Sequence, residues 1–236
     1  MKTLLTVNWT NLLVATFETD KKLLEKFTPA KTELNDWNGK YLLSLVGFLF
    51  SNPSIFRIPS PLYRKFEEVN LRFYVRHKSK NEWKKGVVFI KEIAPSRIIG
   101  LSAKWLYHEN FISLPMKHSF DITNEKRDIE YSWKINSNWN FLKLRAAGNP
   151  LTGNGNTIEA FMKEHYWGYT KKGNDKSFEF EIQHPPWNIY PAISFDMHLD
   201  AEAMYGKEFT DYFREKPVSA FLMDGSQTKV SYPVLL

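Results

Sequence analysis

Apolar and polar residues alternate strictly between positions 66 and 76, which predicts a β-strand in the first third of the chain. One side of that strand would carry the apolar residues Val69, Leu71, Phe73 and Val75. The other side would carry the polar residues Glu68, Asn70, Arg72, Tyr74 and Arg76. A row with an acid, an amide, two guanidinium groups and a phenol is either a solvated sheet face or the lining of a polar pocket.

Apolar runs bounded by turn residues predict strands along most of the remaining chain. The predicted strands cover residues 41–50, 67–77, 86–93, 116–123, 128–135, 140–147, 166–170, 178–183, 219–224 and 228–232. The densest basic stretch, residues 76–85, is predicted to be the solvated loop that joins the second and third strands as a hairpin. The last two strands are predicted to form a hairpin around Gly225-Ser226.

Helical spacing and capping residues predict a few short helices between the strands. They cover residues 21–27 after the capping Asp20, 98–106, 157–165 and 200–205. Residues 1–17 are predicted to pack onto the body through Trp9 and the apolar residues that follow it. Because no linker, composition break or repeat divides the chain, we expect one α+β domain over residues 1–236, with a mostly antiparallel sheet.

Composition narrows the classes of function. Aromatic residues make up 16% of the chain, which fits the pleated surface of a β-rich protein. The net charge of +6 arises from scattered Lys and Arg residues, so nucleic-acid binding is the weaker reading of it. The absence of cysteine excludes disulfides, thiolate metal sites and cysteine nucleophiles. The longest apolar run, 41–50, is too short to span a bilayer, and we expect a cytoplasmic protein.

Four segments, in their order and spacing, carry a resemblance to a known family. They are the Trp9 segment, residues 66–75, the region ending in Leu114-Pro115, and the pair formed by residues 165–169 and 184–187. The chain resembles the YqjF-like family of uncharacterised bacterial proteins, which is grouped by fold with acetoacetate decarboxylase. The resemblance implies a large, strongly bent, mostly antiparallel sheet that forms a cone-like barrel around an interior pocket, with a few short helices.

In acetoacetate decarboxylase that pocket holds a Schiff-base lysine, whose pKa is lowered by a neighbouring lysine and by a dry environment. The lysine pair follows a proline. At the corresponding place this chain has Pro115 and then a single lysine, Lys117. The adjacent pairs Lys84-Lys85 and Lys171-Lys172 lie beside turn signals, where we expect them to be solvated. The resemblance therefore implies the fold without the lysine pair.

The polar row supplies the candidate ligand-binding residues Glu68, Asn70, Arg72 and Tyr74. Arg72 would hold a ligand carboxylate through two hydrogen bonds, and Glu68 would accept a proton or fix Arg72. The alternative is a structural ion pair across one pleat. Lys117 is a second catalytic candidate beside Glu68, but an exposed strand lysine is the simpler interpretation.

The histidines have neither His-x-His nor His-Glu-x-x-His spacing, so we expect no metal site and no cofactor. His184 would line the pocket mouth or end a strand. We therefore expect an interior pocket that binds a small carboxylate or carbonyl compound, in a lyase-type relative of the decarboxylase without its lysine pair. The alternative is a non-catalytic ligand-binding or interaction module. The sequence is compatible with a homo-oligomer, and it leaves open whether the protein is an enzyme.

Overall fold

The computed structural model describes residues 2–59, 65–80, 82–96, 110–151 and 157–236. The strands are β1 (Thr3–Thr19), β2 (Glu33–Leu34), β3 (Tyr41–Ile55), β4 (Ile58–Pro59), β5 (Lys65–Ser79), β6 (Glu82–Ala94), β7 (Phe111–Ser113), β8 (Met116–Ile122), β9 (Lys126–Ile135), β10 (Asn138–Ala147), β11 (Trp167–Lys172), β12 (Lys176–Gln183), β13 (Ile189–His198), β14 (Ser219–Ser231) and β15 (Val234–Leu235). The helices are α1 (Lys21–Glu25), α2 (Ile158–Lys163) and α3 (Ala201–Tyr205), followed by 3-10 turns at Lys207–Phe209 and Tyr212–Arg214. Within these ranges, no helix is long and apolar enough to cross a membrane.

The described strands belong to one large, mostly antiparallel sheet. Its main path runs β15-β12-β11-β6-β5-β3-β1-β14-β13-β10-β9-β8, and the short strands β2, β4 and β7 flank it. β12 also pairs with β14, through Ile182 opposite Val230 and Gln183 opposite Lys229, so the path returns to itself. β6 pairs in parallel with β11 and with β7, which makes the sheet mixed. The prediction of an α+β fold built on a large, mostly antiparallel sheet is confirmed.

The long strands β1, β3 and β5 are covered on both faces, as the near-continuous apolar run in β3 indicates. One face packs into the Phe73 cluster, whose members include Leu13, Phe17, Leu43, Leu45, Val69, Leu71, Phe73, Val75, Tyr131, Trp133 and Met204. The other face packs into the Tyr74 cluster, formed by Leu12, Val14, Leu42, Val46, Phe48, Tyr74, Val87, Ile158, Met162, Trp187, Phe221 and Met223. Helix α2 covers the second face through Ile158 and Met162.

The predicted hairpin of residues 67–77 and 86–93 is present as β5 and β6, but the basic stretch between them is not a loop. His77 lies opposite Lys84 and Lys78 lies opposite Trp83, so both strands continue almost to the turn. Lys84 is only 16% exposed and its Nζ binds the carboxylate of the buried Glu179 at 2.7 Å. The expectation that the pair Lys84-Lys85 is solvated is therefore wrong for Lys84, because β12 supplies a buried counter-charge.

The predicted hairpin around Gly225 is wrong, because β14 runs without a break from Ser219 to Ser231. Gly225 has φ +80 and lies opposite Thr10 of β1. A Cβ at Gly225 would lie 2.1 Å from the carbonyl oxygen of Trp9. The glycine therefore permits a local irregularity and a close approach of two strands, where the sequence indicated a chain reversal.

Other differences concern the ends of the chain and one missed strand. Residues 1–17, expected only to pack onto the body, form most of the long strand β1. Strand β13 was not predicted, since Pro191 within it weakens the strand signal. Asp20 precedes α1 without a side-chain capping bond and instead accepts from the hydroxyl of Tyr212. The predicted helical face at 98–106 lies outside the described residues.

Candidate functional site

The polar row of β5 faces the interior on the side of the Tyr74 cluster. Glu68 is 7% exposed, and Asn70 and Tyr74 are 1% exposed. Arg72 is partly buried. The row also reaches solvent at Arg76, which forms an exposed ion pair with Glu33. The opposite side of β5 is buried as well. The row is therefore buried because other parts of the protein cover both faces of this strand.

Neighbouring strands surround the row with mostly apolar side chains. On β3, Phe48 lies opposite Glu68, Val46 lies opposite Asn70, and Ser44 lies opposite Arg72. A polar group in such surroundings is costly unless it is hydrogen-bonded, at about 1–3 kcal/mol for each unpaired group. Polar residues are therefore unusual at these core positions, and the contacts that each of them makes must be identified.

β6 brings a second carboxyl group to the row through a bulge. Lys91 lies opposite Leu71 but Phe89 lies opposite Arg72, so Ile90 is an extra residue in β6. The bulge reverses the alternation. Glu92 thereby lies opposite Asn70 on the side of the row, and Lys91 turns to the Phe73 cluster, where its Nζ donates to the carbonyl oxygen of Met204.

Glu68 and Glu92 form a buried carboxyl pair. Burial raises the pKa of Glu68 well above its usual value, and the nearby Glu92, which is hydrogen-bonded to it, raises that pKa further. The amide of Asn70 and the charge of Arg72 act in the opposite direction but are smaller effects. The Glu68 carboxyl group therefore keeps its proton to higher pH than an ordinary glutamate, and its protonated form can donate a hydrogen bond.

Two polar atoms of the row have no hydrogen-bond partner among the described residues. Asn70 donates from Nδ2 to Oε1 of Glu68 at 3.2 Å, and this fixes the side chain while its Oδ1 remains unpaired. The Nε–H group of Arg72 is also buried and unpaired. One atom is an acceptor and the other is a charged donor, and buried groups of either kind are normally hydrogen-bonded.

Tyr74 is the last buried residue of the row. Its hydroxyl group belongs to a chain of hydrogen-bonded hydroxyl groups. Its hydroxyl lies 2.8 Å from Oγ of Ser44, which lies 2.8 Å from Oγ1 of Thr16. Thr16 donates to the thioether of Met162 at 3.2 Å, and a thioether only accepts. Hydrogens along the chain therefore run from Tyr74 towards Met162 of helix α2, and the Tyr74 hydroxyl group is a donor in this chain.

His165, directly after helix α2, fixes that helix against the sheet. Its Nδ1–H donates to the carbonyl of Phe161 at 2.9 Å, and Nε2 accepts from the amide of Asn35 at 3.0 Å. Its ring lies edge-on to Tyr74, with centroids 4.8 Å apart. Burial lowers the pKa of His165 to about 3, so the imidazole is neutral and serves as a structural clamp beside the row.

His184 stacks on Trp187 of the Tyr74 cluster, with ring centroids 3.6 Å apart and planes 12° apart. Its Nδ1–H donates a hydrogen bond to the carbonyl oxygen of Pro185 at 2.9 Å. Burial lowers the pKa of His184, and the charge of Arg72 lowers it further. His184 thus lies within the electrostatic reach of the row, at a partly exposed position.

Lysines with described contacts lie away from the row. Lys117 is exposed on β8, and its Nζ lies 4.5 Å from the centre of the Trp139 ring. Lys85 forms an exposed pair with Glu164. A surface cavity of about 380 Å³ opens beside Lys85, and no member of the row lines it. Its lining consists of Glu82, Trp83, Lys84, Lys85, Glu164, Tyr166 and Trp167.

Sequence reasoning found Glu68, Asn70, Arg72 and Tyr74 but missed Glu92, Ser44 and His165. Ser44 gave a signal as the one polar residue inside the apolar run of β3. Glu92 gave a misleading signal, since strict alternation places it on the other face of β6. In the described ranges, no three His, Asp or Glu side chains are grouped so that they could hold a metal ion.

Comparison with known proteins gives a family and a fold. The model of the family DUF2071, described as an uncharacterized conserved protein, matches residues 6–227. The uncharacterized protein YqjF of Bacillus subtilis (strain 168) is 27% identical over 206 residues, covering 83% of this chain and 80% of that protein. The match over most of both proteins includes the whole of the polar row.

Among solved structures, acetoacetate decarboxylase from Legionella pneumophila superposes with a TM-score of 0.71 at 10% identity, over 100% of this chain and 88% of that one. The enduracididine biosynthesis enzyme MppR, complexed with pyruvate, superposes with a TM-score of 0.65 at 8% identity, over 100% and 91%. At such low identity these similarities show a shared fold, the acetoacetate-decarboxylase-like one.

Proposed function

We propose that this chain, which belongs to the DUF2071 family of uncharacterized conserved proteins, binds a small organic acid or carbonyl compound at the buried polar row of β5. Arg72 binds the carboxylate of the ligand, Glu68 and Asn70 contact its remaining polar atoms, and Tyr74 closes the row on one side. The observation that carries the proposal is that the buried Nε–H of Arg72 and the buried Oδ1 of Asn70 have no hydrogen-bond partner among the described residues.

The charges of the side chains in the row support an anionic ligand. Burial and the neighbouring Glu92 raise the pKa of Glu68, the carboxyl group nearest to Arg72 along the row, and this disfavours a carboxylate that would compete with a ligand for Arg72. A guanidinium group in apolar surroundings favours an anion far more strongly than one in water. A structural ion pair with an ionised Glu68, the alternative reading of the row, is disfavoured by the same raised pKa.

The protonated form of Glu68 also suits a carbonyl ligand, because a protonated carboxyl group can donate to a carbonyl oxygen. Solved structures with the same fold include a complex with pyruvate and an acetoacetate decarboxylase. These names supply the first probes for this chain, pyruvate and acetoacetate. Both combine a carboxylate with a carbonyl group.

If the row is catalytic, a lyase reaction is the class that fits it best. Loss of CO₂ from a 3-oxo acid leaves an enolate, and the Glu68 carboxyl group can transfer its proton to the carbanion carbon, to be reprotonated by water. Lys117 has no part in this scheme because it is exposed. The alternative function is a non-catalytic binding module that uses the same contacts.

Isothermal titration of pyruvate and acetoacetate tests the binding proposal. Arg72→Met removes the charge and keeps most of the volume, and we expect affinity to fall about tenfold or more. Arg76→Met is the matched control, four residues along the same row but in an exposed ion pair, and it should bind like the unaltered protein. Equal affinities of the two variants, or no binding at all, would refute the proposed site.

Release of CO₂ from acetoacetate separates the enzyme from the binding module. We expect Glu68→Gln, which keeps the shape but cannot transfer a proton, to abolish release while binding persists. Borohydride treatment followed by intact mass measurement should give no lysine adduct. An adduct would show that an imine forms and would require a different mechanism.

A further inference from the structure

The two atoms of the row that lack a hydrogen-bond partner among the described residues are of opposite kinds, an N–H donor and a carbonyl acceptor. Asn70 and Arg72 are two residues apart on one strand face, a spacing of about 7 Å between their Cα atoms. The Nε–H of Arg72 needs an acceptor, whereas Oδ1 of Asn70 needs a donor. A ligand that satisfies both must carry a donor next to its carboxylate.

The orientation of the Asn70 amide fixes which of its atoms faces the ligand. Nδ2 donates to Oε1 of Glu68, so that atom is already used. The side chain is 1% exposed, and bulk water therefore does not replace the missing partner of Oδ1. Leaving such an acceptor unpaired costs about 1–3 kcal/mol, which a ligand donor recovers on binding.

We infer that the row selects 2-hydroxy acids, with the carboxylate on Arg72 and the 2-hydroxyl group donating to Oδ1 of Asn70. The inference rests on the proposed carboxylate site and adds the class of acid that it takes. Asn70 is thereby a specificity-determining residue.

Other substituents at carbon 2 fit less well. A 2-oxo group only accepts hydrogen bonds, so it would face Oδ1 of Asn70 with a second acceptor. A 2-ammonium group donates, but it would bring a positive charge close to the guanidinium group of Arg72, and the raised pKa of Glu68 disfavours the carboxylate that would offset this charge. A hydrogen at this position leaves Oδ1 unpaired.

Titration of the unaltered protein with four three-carbon acids tests this without any substitution. The acids are lactate, pyruvate, propanoate and 2-fluoropropanoate, the last having a substituent close in size to a hydroxyl group but without a donor. We expect lactate, in one of its two enantiomers, to bind at least about fivefold more tightly than the other three. Alanine, as a fifth ligand, should bind more weakly than lactate.

Asn70→Leu, of similar volume, removes the acceptor and should remove the preference for lactate while propanoate binding is retained. Pyruvate, propanoate or alanine binding as tightly as lactate would overturn the inference. If these acids bind equally but all depend on Arg72, the carboxylate site stands and only the hydroxyl selectivity is lost. If no acid binds, the proposed function fails together with the inference.

Discussion

The amide of Asn70 donates to Oε1 of Glu68 over 3.2 Å inside the sheet, where neither side chain is more than 7% exposed. The same Glu68 is hydrogen-bonded to Glu92 across the strand pair, which raises its pKa. The bond from Asn70 therefore reaches a carboxyl group whose protonated form is favoured by burial and by Glu92. The donor and acceptor properties of the row follow from this protonation state.

The raised pKa of Glu68 predicts a pH dependence of stability. The folded state keeps the Glu68 proton above pH 4.5, where the unfolded chain releases it. The free energy of unfolding should therefore fall as pH rises from 4.5 to the folded pKa, by up to about 1.4 kcal/mol per pH unit. Urea unfolding from pH 5 to 9 measures this. Glu68→Gln should flatten the alkaline part of the profile, and an unchanged slope would show that Glu68 is ionised in the fold.

The lowered pKa of His165 predicts that the protein loses stability as the solution becomes more acidic, which is opposite to the effect of Glu68. Its folded pKa of about 3 lies below the ordinary 6.5, so the unfolded state binds an extra proton between these values. The free energy of unfolding should fall as pH drops from 6.5 towards 3, by up to about 1.4 kcal/mol per pH unit. Because Glu68 opposes this above pH 4.5, the comparison needs His165→Gln in the Glu68→Gln background. His198→Gln, at an exposed position, is the control and should leave the slope unchanged.

The close contact at Gly225 predicts that adding one methyl group there greatly lowers the free energy of unfolding. Gly225→Ala places Cβ 2.1 Å from the carbonyl oxygen of Trp9, at φ +80. We expect a loss of about 3 kcal/mol or more in the free energy of unfolding. Gly173→Ala has a similar φ of +74 but no atom within 4 Å, and it should lose only about 1–2 kcal/mol. Equal losses would mean that β1 and β14 do not approach closely at Gly225.

Two adjacent lysines predict very different effects of the same substitution. Lys84→Met leaves the carboxylate of Glu179, which is 3% exposed, with only the hydroxyl of Tyr169, and should cost about 3–5 kcal/mol. Lys85→Met breaks an exposed pair with Glu164 and should cost less than about 1 kcal/mol. Thermal unfolding of the two variants compares them directly. A mild effect of Lys84→Met would indicate that β6 and β12 do not bury this pair.

Period-two alternation was enough to predict strand β5 and the identity of its polar row, because nothing interrupts the pleat between positions 66 and 76. The alternation could not show whether the polar face of the strand is exposed to solvent or buried. That depends on helix α2 and Trp187, which are distant in sequence. The resemblance to a known family supplied the fold class, which the single-strand pattern does not contain.

Local irregularities limited the remaining predictions. The extra residue Ile90 in β6 exchanges the faces of Lys91 and Glu92, so the second carboxyl group of the site was missed. Gly225 has the signature of a turn but serves a close strand contact. Lys84 looked solvated because its partner Glu179 lies 95 positions away. For Gly225 and Lys84, a contact that is distant in sequence overrides the local signal.

The Nε–H resonance of Arg72, observed by NMR in protein labelled with ¹⁵N-arginine and assigned by Arg72→Lys, tests the central claim most directly. Saturation with lactate should shift this resonance and slow its exchange with water, since Nε–H gains a carboxylate partner. The Nε–H resonance of Arg76 should stay unchanged. A shift at Arg76 without one at Arg72, or no change at either while lactate binds, would contradict the assignment of the site.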